Sequence, residues 1–143
     1  MTCIFCDIVK GKAKCYKIYE DSKNLAFLDI FPNTKGQSLV IPKKHFENFI
    51  EMPEKDFQSL MKAAKKVSSL LRKAFKIERV AMVIEGTAIP HVHVKLYPLH
   101  GKLKADIKKK VYFKKYPGYL TTLIGPRASE KALQKLAEKI RSL

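Results

Sequence analysis

The chain's 143 residues amount to about one domain, long enough to bury roughly two-thirds of its unfolded surface without staples. A composition of 46% hydrophobic and 29% charged residues excludes a disordered or fibrous chain, and no apolar run approaches the length of a membrane span. With 29 Lys and Arg against 13 Asp and Glu, the formal charge of +16 favours anionic partners without choosing among nucleotides, nucleic acid and anionic lipid.

The N-terminus, MTCIFCDIVK, lacks the basic start and long apolar stretch of a signal peptide, so a cytoplasmic location is expected. Three cysteines are too few and too uneven for a disulfide framework: Cys3 and Cys6 form C-x-x-C, while Cys15 stands apart and reads as a small buried residue. A thioredoxin-like motif would follow a strand, and none precedes Cys3, so metal is favoured over redox chemistry. Tyr16 to Asp21 and Leu25 to Ile30 predict a hairpin around Ser22, Lys23 and Asn24. Ser38 to Ile41 predicts a third strand, stopped by Pro42. From Pro53, the apolar positions Phe57, Leu60, Met61, Ala64, Val67, Leu71 and Phe75 keep helical spacing, with lysines on the other face. Val80 to Ile84 and His91 to Tyr97 predict two more strands about a turn at Glu85, Gly86 and Thr87, and Ser129 caps a final helix. The sum is a single α+β domain over residues 1–143. Its five-stranded antiparallel sheet carries a long helix and a C-terminal helix.

Strict alternation in His91-Val92-His93-Val94-Lys95-Leu96-Tyr97 sends Val92, Val94 and Leu96 to the core and gathers His91, His93 and Lys95 on the other face. Such basic groups, side by side, cost stability unless a phosphate or a metal offsets them. A neutral imidazole there has a lone pair to attack phosphorus, and its second nitrogen must donate to an acceptor that fixes the tautomer. The bland alternative is an exposed polar strand face.

The stretch from Pro90 to Pro98 resembles the His-x-His-x-His signature of the histidine triad family of nucleotide hydrolases and transferases. Cys3 to Val9, Phe27 to Pro32 and Gly36 to His45 resemble its other signatures, in order, over roughly residues 1–100. The resemblance implies that His93 is the nucleophile carrying a nucleoside monophosphate. It makes Asp29 the acceptor of the ribose hydroxyls, and Phe5, Ile8, Phe27 and Ile30 the slot for a purine, although each of these four also suits core packing. It further implies a structural zinc ion held by Cys3, Cys6, His45 and His91, and a homodimer built on the main helix and the strand beside it, with Tyr116 to Leu120 reaching the partner's site.

Several positions depart from the family pattern. Lys95 replaces the third histidine, bringing an ammonium that suits a phosphate but shuttles protons poorly unless desolvated. Gln37 stands where many relatives have histidine. Thr87 and Ala88 stand in for the Gln and small hydroxyl residue that contact the phosphate, leaving the Thr87 hydroxyl and backbone N–H groups for that task, and the asparagine usual before this loop is missing. The leading expectation is an enzyme that releases a nucleoside monophosphate, AMP above all, from a phosphoramidate, mixed anhydride or dinucleoside polyphosphate. Two others compete with it. One is a protein bound to nucleic acid through the Lys-rich, Tyr-interleaved run from Lys102 to Tyr119 in the basic extension 101–143, acting on adenylated ends. The other is a nucleotide sensor that has lost turnover.

Overall fold

The side chain of Asp21 closes the first hairpin by accepting from the backbone N–H groups of Lys23 and Asn24 at 2.8 and 2.7 Å and from the Tyr19 hydroxyl at 2.9 Å. Burial works against its ionisation, yet these hydrogen bonds outweigh it and hold the carboxyl below the usual aspartate range. The turn joins β1 (Lys17–Glu20) to β2 (Asn24–Leu28). Both strands are shorter than the alternation suggested, and β2 opens at Asn24, whose buried amide donates to Ser59 Oγ at 2.9 Å. The computed structural model describes residues 3–101 and 124–143. The basic run from Lys102 to Tyr119 and the segment Tyr116 to Leu120 lie outside the described residues.

Three further strands complete one sheet: β3 (Ser38–Pro42), β4 (Val80–Glu85) and β5 (His93–Pro98). The strands lie in the order β1-β2-β3-β5-β4, each antiparallel to its neighbours, so the expected five-stranded antiparallel sheet is what forms. Strands β2 and β3 are buried at every position, which means both of their faces are covered. On one face, Ala26, Leu28, Val40, Val94 and Leu96 pack against α2 (Glu54–Phe75) and α3 (Glu130–Arg141). The helix α2 buries Leu60, Ala64, Val67 and Leu71 in one stripe and leaves Lys62, Lys65, Lys66 and Lys73 outside, as its spacing predicts. Pro53 is the residue before its first turn, with the left-handed Lys76 (φ 54°) ending it. Ser129 caps α3 as expected, its hydroxyl accepting from the Ala132 N–H at 3.3 Å.

The other face holds a smaller core of Phe5, Leu25, Phe27, Leu39 and Ile41. It is covered by α1 (Ile4–Val9), a helix the sequence reading did not anticipate. At six residues α1 is too short to show periodicity or to persist alone; Phe5, packed edge to face on Phe27 at 5.7 Å, ties it to the sheet. A single 3₁₀ turn at Phe49–Glu51 was likewise not foreseen. Among the described residues no helix is long and apolar enough to cross a membrane.

Candidate functional site

Antiparallel register sets the first part of the site. Glu85 lies directly opposite His93, and Val83 opposite Lys95, so Glu85, His93 and Lys95 project from the face that carries α1. Val94 and Leu96 enter the main core between them, as the alternation predicts. All three polar side chains are almost fully enclosed, at 6, 3 and 10% exposure respectively. The Lys95 ammonium is paired with Glu85 Oε1, and the same oxygen lies 3.5 Å from His93 Nε2.

His93 Nδ1 lies 2.8 Å from the carbonyl oxygen of His91. A carbonyl only accepts, so Nδ1 carries the hydrogen and the neutral ring keeps its lone pair on Nε2. Burial lowers the His93 pKa below the usual imidazole value and keeps the ring neutral, although the His91 carbonyl and Glu85 pull the other way. Phe5 stands edge to face against this ring at 5.2 Å and fixes its plane.

Nε2 faces a cavity of about 380 Å³ between the sheet and α1, whose lining includes Phe5, Ile8, Phe27 and Ile30, the four residues expected to form an apolar slot. Phe5 and Phe27 are also buried core residues, so packing and lining are one role there. Asp29 lines the cavity as well. Its Oδ1 accepts from the Phe31 N–H at 2.8 Å and its Oδ2 from Gln37 Nε2 at 2.7 Å. Two acceptor positions remain on the carboxylate for a ligand.

Gln37 itself is buried outside the cavity, where its Oε1 accepts from the Asn33 N–H at 2.7 Å. It therefore holds Asp29 rather than touching a ligand. Gly36 makes this possible: its φ is +83°, and a Cβ there would sit 2.3 Å from the Phe75 ring. Thr87 is exposed in the loop after β4 and does not line the cavity, whereas its neighbours Ala88 and Ile89 do. The chain returns to the cavity at Ile124 and runs past its mouth, with the Gly125 and Ala128 N–H groups donating to the Phe31 and Ile30 carbonyls at 3.0 and 2.8 Å.

His91 does not join this row. The strand β5 begins only at His93, and the Val92 N–H donates instead to the Phe46 carbonyl at 2.7 Å, ahead of the β4–β5 ladder. His91 is wholly buried, with Nε2 donating to the Pro42 carbonyl at 2.9 Å and Nδ1 turned toward Cys3, Cys6 and His45. Burial lowers its pKa also. These four residues offer two thiols and two Nδ1 atoms, all within 4.8 Å of one another. A tetrahedral ion with arms of about 2.0–2.1 Å to nitrogen and about 2.3 Å to sulfur has N–N edges of about 3.3 Å and S–N edges of about 3.5 Å. Here the two Nδ1 atoms are 3.2 Å apart, and the thiol–imidazole separations are 3.4, 3.4 and 3.7 Å. The four residues can thus hold a metal ion. His45 Nε2 lies 3.9 Å from Glu47, so each histidine has an acceptor behind it. Burial, with Cys3 adding to it, raises the Cys6 thiol, which only a cation would reverse.

Glu85 is the residue that sequence reading missed. It was assigned to a turn, and only the β4–β5 register reveals that its side chain faces His93. His100 was given no role, and it donates to the Lys35 carbonyl at 2.8 Å, away from the cavity lining.

An open antiparallel sheet with a buried imidazole over an apolar cleft, and a Cys₂His₂ cluster beside it, is the arrangement of a histidine triad protein. The HIT domain model matches residues 10–101, and the chain belongs to this family, whose members are nucleotide hydrolases and transferases. The adenosine 5'-monophosphoramidase of Schizosaccharomyces pombe is 36% identical over 99 residues, covering 68% of this chain and 74% of its own. A hypothetical histidine triad nucleotide-binding protein from Sulfolobus tokodaii superposes with a TM-score of 0.79 at 30% identity, over 98% of this chain and 90% of that one. A Zn-bound histidine triad family protein from Mycobacterium smegmatis superposes with a TM-score of 0.71 at 26% identity, over 99% and 92% of the two chains.

Proposed function

We propose that the chain is a nucleotidyl hydrolase or transferase that releases a nucleoside monophosphate, AMP in the first instance, by way of a nucleotide bound covalently to His93. The observation that carries this reading is the bond from His93 Nδ1 to the His91 carbonyl, which leaves the Nε2 lone pair facing the cavity. The nucleoside lies with its base between Phe5, Ile8, Phe27 and Ile30 and its ribose hydroxyls on Asp29. The α-phosphate then meets Nε2, and Lys95 faces the phosphoryl oxygens.

Nε2 attacks the α-phosphorus and the bond from phosphorus to the leaving group breaks. The leaving atom keeps the electron pair and takes a proton. Water or another acceptor then attacks the same phosphorus, the N–P bond breaks, and the ring returns neutral. The substrates that fit are purine-nucleotide phosphoramidates, mixed anhydrides and dinucleoside polyphosphates. The activity named for the fission yeast relative supports the first of these.

Cys3, Cys6, His45 and His91 hold zinc in this reading, supported by the tetrahedral edge lengths and by the Zn-bound mycobacterial relative. Four protein ligands close the coordination sphere, so the ion would supply cross-linking of α1 and the loop before β5 to the sheet, and no open coordination position. A homodimer through α2 and the edge strand β4 is consistent with the half-exposed Met82 on that strand.

The test is intact mass after acid quench with an adenosine phosphoramidate. The native chain gains the mass of an adenylyl group and releases AMP. His93→Ala does neither; turnover by that variant at the native rate would remove His93 from the mechanism.

A further inference from the structure

The chain carries a formal charge of +16, yet the charged groups lining the cavity are two lysines, Lys14 and Lys95, and two carboxylates, Asp29 and Glu85, which cancel. Burying the Glu85–Lys95 pair does not itself explain its presence, because apolar side chains of similar size at a closed site are commonly as stabilising or more so. Its position is informative instead. Strand register sets Glu85 opposite the nucleophile, with one carboxylate oxygen on the Lys95 ammonium and 3.5 Å from His93 Nε2. The carboxylate therefore stands where a phosphoryl group and its leaving atom come together. Lys95 has three N–H donors, enough to keep Glu85 and still reach phosphoryl oxygens.

Resting on the reading of His93 as nucleophile, we propose that Glu85, clamped by Lys95, is a specificity-determining residue that selects substrates by leaving-group charge. It favours nucleotides whose leaving group departs as an amine and disfavours those whose leaving group departs as a polyphosphate. When the P–N bond of a phosphoramidate breaks, the nitrogen takes the electron pair and a proton, and with a further proton from solvent it departs as an ammonium. A fixed carboxylate favours that cation. When a P–O bond to a polyphosphate breaks, several negative charges depart past the same carboxylate with no surplus positive charge in the lining to offset them.

The test compares kcat/KM for an adenosine phosphoramidate with a primary-amine leaving group and for diadenosine tetraphosphate, using the whole, metal-loaded chain. Glu85→Gln is expected to shift the ratio toward the dinucleotide by about tenfold, the size a single buried like charge produces. Glu85→Asp retains the native preference in part, and Lys95→Gln, which leaves the carboxylate unbalanced, shifts the ratio the opposite way. A ratio that stays within twofold of native in both Glu85 variants, or an equal loss on both substrates, overturns the proposal; if Glu85→Gln does not fold, the Asp and Lys95 variants decide it. The acid-quench adduct separates the two levels. A native adduct with an unmoved ratio removes only the role of Glu85, whereas no adduct and no turnover with either substrate removes the nucleophile reading and this inference with it.

Discussion

His91 and His93 stand two residues apart, are both buried, and are both driven toward the neutral form by that burial, yet they serve different regions. The difference lies in which ring nitrogen is tied to the backbone. His91 spends Nε2 on the Pro42 carbonyl and turns Nδ1 into the Cys₂His₂ cluster, while His93 spends Nδ1 on the His91 carbonyl and turns Nε2 into the cavity. One imidazole is thereby a ligand and the other a nucleophile candidate, with no change in residue type. The pairing is also sequential, because the backbone carbonyl of the metal-ligand residue is what orients the second ring.

The largest expected effect separates the two regions. Cys3→Ser removes a donor from the cluster that fastens α1, and Phe5 with it, to the sheet. Loss of a structural metal belongs among the few large single-site effects, about 4 kcal/mol, or roughly 10 °C in melting temperature for a chain of this size. Bound metal, measured by elemental analysis, should fall in parallel. At a temperature where the variant is still folded, His93 should continue to form its adduct. Loss of the adduct in a folded variant would mean that the two histidines act as one unit.

The division between these regions was only partly legible in the sequence. Alternation correctly sent Val92, Val94 and Leu96 to the core, because a strand's period of two is a local property. It also grouped His91 with His93 and Lys95, which fails because the contact of Val92 with Phe46 lies outside the β4–β5 ladder and has no local signal. Glu85 was unreadable for the same kind of reason: its role depends on which residue of β5 it opposes. The four-residue cluster, by contrast, was legible through the resemblance, since Cys3 and Cys6 announce a metal and the two histidines fall in matching motifs. Length hid α1, whose six residues carry a motif but too few turns for a period.

A smaller effect probes how the cavity is held. Gln37→Leu removes the 2.7 Å bond to Asp29 Oδ2 and leaves the Asn33 N–H without its acceptor. Asp29 keeps only the Phe31 N–H, so its carboxylate loses its fixed orientation toward a ribose. Weakening of one charge-assisted hydrogen bond predicts a rise in KM of about tenfold with kcat changed much less. Steady-state kinetics with a ribonucleotide and its 2'-deoxy analogue check this. The variant should discriminate between them less than the native chain does, and an unchanged discrimination would detach Gln37 and Asp29 from the sugar.

The smallest effect concerns Thr87, which the resemblance associates with the phosphate. Its side chain is exposed and outside the cavity lining, while the backbone beside it is pinned because Gly86 packs so closely on the Glu47 carbonyl that a Cβ would lie 2.5 Å from that oxygen. A hydroxyl in water that does not meet the ligand contributes little, so Thr87→Ala should change kcat/KM by about threefold or less. Gly86→Ala disturbs the loop's backbone instead and should cost more than Thr87→Ala, because the listed neighbour is a carbonyl that cannot rotate away. The ranking of these two variants, measured on one substrate, tests whether the loop acts through its course or through its side chain. A larger loss for Thr87→Ala would mean that this loop closes over the phosphate when substrate binds, bringing the hydroxyl into a cavity that it does not line in the free chain.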